Sequence, residues 1–231
     1  MTTEGYANPD LLWTPEQLHG RLGDPNLAII DVRPAATYAQ GWIPGAVHFD
    51  LFGISLNDTS PKPLAAFTWM MQHLFEQRGV NLDKTVVFYE DTSGVRAARG
   101  FWLLEYLGHM DVHVLDGGLN AWRAAGYAVT TEAPRVREVQ FQPRRRESLH
   151  ISADDLYALL GSDTLALLDT RADAEYLGTN VRAARGGTIP GSVHLEWVHN
   201  LNADGTFKSA EALRAMYAAA GIHPDQTVVA F

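Results

Sequence analysis

Leu27-Ala28-Ile29-Ile30-Asp31-Val32-Arg33 is an apolar run that closes on an acid and a base, and the chain writes it twice. The second version is Leu165-Ala166-Leu167-Leu168-Asp169-Thr170-Arg171. Beyond the first run come Tyr38 and then Ile43-Pro44-Gly45-Ala46-Val47-His48. Beyond the second come Tyr176 and then Ile189-Pro190-Gly191-Ser192-Val193-His194. Further on, the stretch from Gly79 to Tyr89 parallels the stretch from Gly221 to Phe231, each with a Thr-Val-Val core. Three matched blocks in the same order rule out coincidence. The two sets lie roughly 140 residues apart, far beyond the period of a solenoid repeat, so the pattern is a duplicated domain.

Short apolar, β-branched runs predict buried strands over Leu27–Val32, Thr85–Tyr89, Val112–Leu115, Leu165–Asp169 and Thr227–Phe231. Helices fall between them. Thr14-Pro15-Glu16-Gln17 is a capped start with proline at the first helical position. Ser152 and Ser209 open helices with a capping hydroxyl and early acids. Apolar residues at helical spacing predict helices over Phe67–Arg78 and Gly94–Leu107. Strands alternating with helices imply an α/β fold, each domain a mainly parallel sheet flanked by helices. Prolines and charges between Gly126 and Glu147 mark a boundary. The predicted organisation is a first domain over 1–126, a linker over 127–147 and a second domain over 148–231.

Of 231 residues, 46% are hydrophobic and 19% charged, the composition of a globular protein. No apolar run is long enough to span a bilayer. Met1-Thr2-Thr3-Glu4-Gly5 has neither a basic region nor an apolar stretch, so the expected location is the cytoplasm. A net charge of −9 argues against nucleic acid as a partner. Arg135, Arg137 and the run Arg144-Arg145-Arg146 read as solvated linker. With no cysteine, the chain offers no disulfide, no thiolate-bound zinc and no thiol nucleophile. The pairs His109/His113 and His194/His199 do not share a helical face, so no metal site is expected.

In open parallel sheets, ligands bind beyond the carboxyl ends of the strands. After Thr85–Tyr89 the loop Glu90-Asp91-Thr92-Ser93-Gly94 leads straight into a helix. Such a loop is a cradle of backbone N–H groups suited to an anion, and a cysteine in it would be an activated nucleophile. Here two carboxylates, Glu90 and Asp91, would fill or repel from the cradle, and the loop reads as a helix cap. In the second copy the equivalent loop would begin after Phe231. A central strand at that position without its covering helix leads to the expectation that the chain is part of a longer one.

These residues resemble the rhodanese family, in particular its tandem-domain thiosulfate sulfurtransferases of bacterial type. Asp31-Val32-Arg33 with Ile43–His48, repeated as Asp169-Thr170-Arg171 with Ile189-Pro190-Gly191-Ser192, is similar to the family's first signature. The stretch from Leu115 to Trp122 resembles the second. The resemblance implies two rhodanese-like domains, the first silent, the second carrying a cysteine immediately after Phe231. It implies that the thiolate takes the outer sulfur of thiosulfate as a persulfide and passes it to cyanide or another thiophilic acceptor, without cofactor or metal. A monomer is expected. Where the family often has a histidine before Ile-Pro-Gly, this chain has Trp42 and Thr188.

Asp169 and Arg171 read as loop support, because the silent copy keeps the pair as Asp31 and Arg33. Arg182 and Arg185 lie in an insertion peculiar to the second copy. They either draw an anionic donor or are plain exposed arginines. Glu175 and Trp197 resemble residues near the site in bacterial-type members, with packing an equal reading for Trp197. Two other functions stay open: a non-enzymatic binding or regulatory module if the protein ends at Phe231, and a phosphatase- or arsenate-reductase-like relative with a longer loop. A protein ending at Phe231 is expected to transfer no sulfur.

Overall fold

The structure is a computed structural model that describes residues 5–231. Residues 1–4, which bear on the reading of the N-terminus, lie outside the described residues. The chain divides into two compact units. The first comprises Asn8–His150 with Ala203–Phe207, and the second Ile151–Asn202 and Lys208–Phe231 with the described residues 5–7.

The first unit contains β1 (Leu12–Trp13), α1 (Pro15–His19), β2 (Leu27–Asp31), α2 (Ala35–Tyr38), β3 (Val47–His48), α3 (Pro61–Glu76), β4 (Thr85–Tyr89), α4 (Val95–Tyr106), β5 (Val112–Leu115) and α5 (Gly118–Ala124). Its five strands pair in parallel in the order β1-β5-β4-β2-β3. The central strand β4 is buried along its whole length, with alternate residues serving opposite faces. Val86 and Phe88 pack with Met71 and Phe75 of α3 and Leu104 of α4. Val87 and Tyr89 pack with Leu18 of α1 and with Leu119 and Trp122 of α5. Two-sided burial is why β4 reads as a continuous apolar run rather than an alternating one.

The second unit contains α6 (Ala153–Leu159), β6 (Leu165–Asp169), α7 (Asp173–Tyr176), β7 (Val193–His194), α8 (Ala210–Ala219) and β8 (Thr227–Ala230). Its strands are parallel in the order β7-β6-β8. This repeats the order β3-β2-β4 of the first unit.

Capping follows the sequence. Thr14 and Gln17 form a reciprocal capping box, and Ser152 and Ser209 each accept a bond from the N–H three residues on. One helix departs from expectation. α3 starts at Pro61, six residues ahead of the predicted Phe67, because Pro61 and Pro63 both fall in the first turn, where the missing N–H has no partner to lose. Residues 127–147 run along the first unit. Trp42 and Thr130 exchange two backbone bonds, Val139 N donates to the Glu76 carbonyl, and Phe141 is fully buried.

Among the described residues no helix is long and apolar enough to cross a membrane, and no group of three His, Cys, Asp or Glu side chains could hold a metal ion. His109 and His113 each bond to protein: His109 Nε2 to the Asn81 carbonyl, His113 Nε2 to Asp111.

Candidate active site

Asp31 ends β2 fully buried, and its carboxylate is the hub of the loops at the carboxyl end of the first sheet. Arg33 donates to it from the backbone N–H (3.0 Å), from Nε (3.0 Å) and from Nη2 (2.6 Å), and Nη2 also donates to the Gly41 carbonyl at 2.7 Å. The guanidinium therefore ties the strand end to the turn before Ile43-Pro44-Gly45. Burial lowers the Arg33 pKa, but the Asp31 bond and charge outweigh it and hold it above its ordinary value. The Tyr89 hydroxyl donates to Asp31 Oδ2 at 2.5 Å and accepts from Ile43 N–H at 3.1 Å. Burial, then the Asp31 charge, pushes the Tyr89 phenol well above its ordinary value.

The second unit rebuilds this hub with one exchange. Asp169, also fully buried, accepts from Arg171 N–H (3.1 Å), Nε (2.9 Å) and Nη2 (2.5 Å), and Nη2 reaches the Gly187 carbonyl at 2.9 Å. Phe231 stands where Tyr89 stood and has no hydroxyl. Thr188, at the position of Trp42, donates to Asp169 Oδ2 at 2.7 Å in its place. Burial opposes the charge on Asp169, but the bonds from Arg171 and Thr188 outweigh it and hold its pKa at about 2, below the ordinary 3.8. His48 and His194 close both hubs alike, their Nε2 atoms 2.8 and 2.9 Å from the carbonyls of Arg33 and Arg171. Reading the copies separately misses this exchange. Setting Trp42 with Tyr89 against Thr188 with Phe231 reveals it.

The loop Glu90–Gly94 is a filled cradle. Glu90 Oε1 accepts from the N–H groups of Arg96 (2.8 Å) and Ala97 (3.0 Å), the first turn of α4. Burial raises the Glu90 pKa, and those two donors only partly offset it. A Cβ on Gly94 would stand 2.8 Å from Glu90 Oε1, so the missing side chain makes room for the carboxylate. Asp91 turns outward to the Arg33 guanidinium, 3.5 Å away and half exposed. Ser93 Oγ donates to Asp116 Oδ1 (2.9 Å) and accepts from Gly117 N–H (2.8 Å). Thr92 packs where a Cβ on Gly205 would fall. Gly118 has φ +56°, and a Cβ there would lie 2.3 Å from the Glu90 carbonyl, which its neighbour Leu119 N–H bonds at 2.8 Å. The glycine pair after Asp116 is thus required by the close approach of this loop.

At the second hub, Phe231 N–H donates to the Leu168 carbonyl, and Thr170 N–H to the Phe231 carbonyl, at 3.0 and 2.9 Å. The bond from Thr170 matches the one from Val32 N–H to the Tyr89 carbonyl. Phe231 therefore holds in the second unit the register that Tyr89 holds in the first. Arg171, Arg185, Thr188 and Phe231 line one open cleft of the second unit. Of the other residues singled out in the sequence, Arg182 is exposed and pairs with Glu175 at 3.2 Å, away from the cleft lining. Trp197 is half-buried on a short 3-10 turn, its N–H on the Thr170 carbonyl. Arg171 and Arg185 are thus brought together, and Arg182, Glu175 and Trp197 are not on that lining.

A duplicated parallel sheet carries one Asp-Arg hub at the end of β2 and again at the end of β6, with a helix cradle after β4, and this defines the class of α/β domain. The family model for the rhodanese-like domain matches residues 14–125 and 152–231, and the chain belongs to that family. A thiosulfate sulfurtransferase of Azotobacter vinelandii is 32% identical, over 98% of this chain and 83% of its own length. A probable 3-mercaptopyruvate sulfurtransferase of Pseudomonas aeruginosa is 37% identical, over 90% of this chain and 78% of its own length. The crystal structure of SseA from Escherichia coli has the same fold, with a TM-score of 0.82 at 24% identity, covering 95% of this chain and 87% of that one. The relatives are sulfurtransferases, and the chain is a member of their family.

Proposed function

We propose that the protein moves sulfane sulfur from thiosulfate to a thiophilic acceptor such as cyanide, through a cysteine at the position after Phe231, with the first domain silent. The observation that supports this reading is the bond from Thr170 N–H to the Phe231 carbonyl, the counterpart of the bond from Val32 N–H to the Tyr89 carbonyl just before Glu90. A thiolate there attacks the outer sulfur of thiosulfate, the S–S bond breaks with sulfite as leaving group, and a persulfide remains. Cyanide then takes the outer sulfur and leaves as thiocyanate, restoring the thiolate. In the first domain the internal carboxylate of Glu90 occupies the donors an anion would need, which supports a silent role. Arg185 and Arg171 face the cleft and supply positive charge for an anionic donor. The relative named for 3-mercaptopyruvate supports a second donor, also an anion.

The test is rapid mixing of the intact protein with thiosulfate or 3-mercaptopyruvate, followed by mass spectrometry. A gain of one sulfur atom, reversed by cyanide, is expected, with faster loading by thiosulfate. Faster loading by 3-mercaptopyruvate would overturn the donor assignment. An intact protein with no alkylatable thiol and no sulfur uptake would replace the enzyme reading with that of a binding module. A chain cut at Phe231 is expected to transfer no sulfur, and turnover by such a chain would sink the proposal.

A further inference from the structure

β2 and β4 begin, at Leu27 and Thr85, at the end of the sheet opposite Asp31 and Tyr89. The first unit has a cavity of about 550 Å³ there, within the size range of small-molecule sites. Leu27, Ile29, Val47 and Val139 give it an apolar wall, while Arg78, Lys84, Arg135 and Arg137 also line it. Four cations at one cavity run against the charge of a chain whose net is −9. Among the described residues none of the four is in an ion pair. The one carboxylate on the lining, Asp24, is already held by Arg21 at 2.8 Å and by Asn26 N–H at 2.8 Å.

Arg78 and Lys84 are held by hydrogen bonds, while Arg135 and Arg137 are exposed on a segment whose backbone is fixed. Arg78 donates from Nε to the His48 carbonyl (3.1 Å) and from Nη1 to the Leu74 carbonyl (2.8 Å), with its guanidinium 3.8 Å from the centre of the Phe49 ring. Those bonds fix the plane and leave Nη2 without a hydrogen bond among the described residues. Burial lowers the Arg78 pKa with no opposing contribution from a carboxylate. Lys84 Nζ bonds the Pro25 carbonyl. The segment bearing Arg135 and Arg137 is held by the Val139 bond to Glu76 and by a close backbone approach at Gly79. A Cβ on Gly79 would lie 3.3 Å from the Arg137 carbonyl, and its φ is +72°. A fixed guanidinium with unused donors beside an apolar wall matches an anionic head on an apolar body.

We propose that this cavity binds an amphipathic organic anion, its carboxylate or phosphate head met by Arg78 and the arginines of residues 127–147, its apolar part against Leu27 and Val47. The inference does not depend on sulfur transfer.

Isothermal titration calorimetry of the intact protein with octanoate and with octyl phosphate tests it, with 1-octanol as the uncharged control. One saturable site is expected for at least one anion, weakened by added salt, and none for 1-octanol. The tighter of the two identifies the head group. Arg137→Gln and Arg135→Gln, both on the exposed side, should each weaken binding about tenfold, as should Arg78→Gln if that variant folds. No binding by either anion, equal binding of 1-octanol, or unchanged affinity in both Arg137→Gln and Arg135→Gln would overturn the proposal.

Discussion

Asp31 and Asp169 perform one task in two settings, and the difference makes them separately testable. Arg33 is almost wholly buried against Asp31, and the Asp169 carboxylate of the second hub is fully buried too. Replacing Asp31 by Asn leaves a buried guanidinium without its charge partner, which costs about 3–5 kcal/mol for a buried pair. Urea unfolding should therefore show a loss of that order for Asp31→Asn, and a loss well under about 1 kcal/mol would contradict the burial argument. Thr188 is the second test. Its hydroxyl is one of the groups holding Asp169 at about 2. Because that pKa is depressed, its contribution to stability is present above the ordinary value of 3.8 and is lost as pH falls towards about 2. Thr188→Val should move the Asp169 pKa upward in a carboxyl NMR titration and shift the acid loss of stability to higher pH. An unmoved pKa would show that the threonine does not serve the hub.

At the scale of elements, the first-domain loop and α4 form one device. Glu90 caps the first turn of α4 from six and seven residues away, a longer reach than an ordinary N-cap. Truncating it to Ala should cost about 1 kcal/mol, as loss of a cap does. Gly94→Ala forces the added Cβ against the same carboxylate. The two changes therefore interact, and Glu90→Ala/Gly94→Ala should be less destabilised than the sum of the single variants. Simple additivity in a double-mutant cycle by thermal or urea unfolding would mean that the carboxylate does not lie where the glycine leaves room. The extended backbone at Gly94 makes alanine acceptable in itself, so the cycle reads the contact alone.

For the molecule as a whole, the two copies keep one hub and differ in what surrounds it. The first copy encloses its hub and fills its cradle from within. In the second, Arg171 and Arg185 line one cleft with Thr188 and Phe231. If that cleft admits the donor, Arg185→Ala should raise KM for thiosulfate several-fold with kcat little changed, the mark of lost ground-state binding. Arg182→Ala should change KM less, because Glu175 already neutralises Arg182. Steady-state kinetics of the intact protein would expose the opposite ranking.

The duplication, the parallel α/β class, the positions of the long strands and the capped helix starts were all legible in the sequence. Each rests on local chemistry: β-branched apolar runs buried on two faces, hydroxyls three residues ahead of an open N–H, and motifs printed twice. The Glu90–Gly94 loop was legible as a cap for the same reason, since a carboxylate before a helix has few other partners. Only the tertiary structure could decide the rest. The exchange of Tyr89 for Thr188 as third donor to the aspartate joins residues on different elements, and which one reaches the carboxylate depends on how the turn before Ile-Pro-Gly folds back. The two-residue strands β1, β3 and β7 are too short to show a period and exist because neighbouring strands offer them bonds. Arg135 and Arg137 are solvent-exposed, as their sequence suggests, but only the contacts at Glu76 and Gly79 bring their backbone beside Arg78. A sequence specifies what each residue can bond, and long-range packing decides which of those partners it meets.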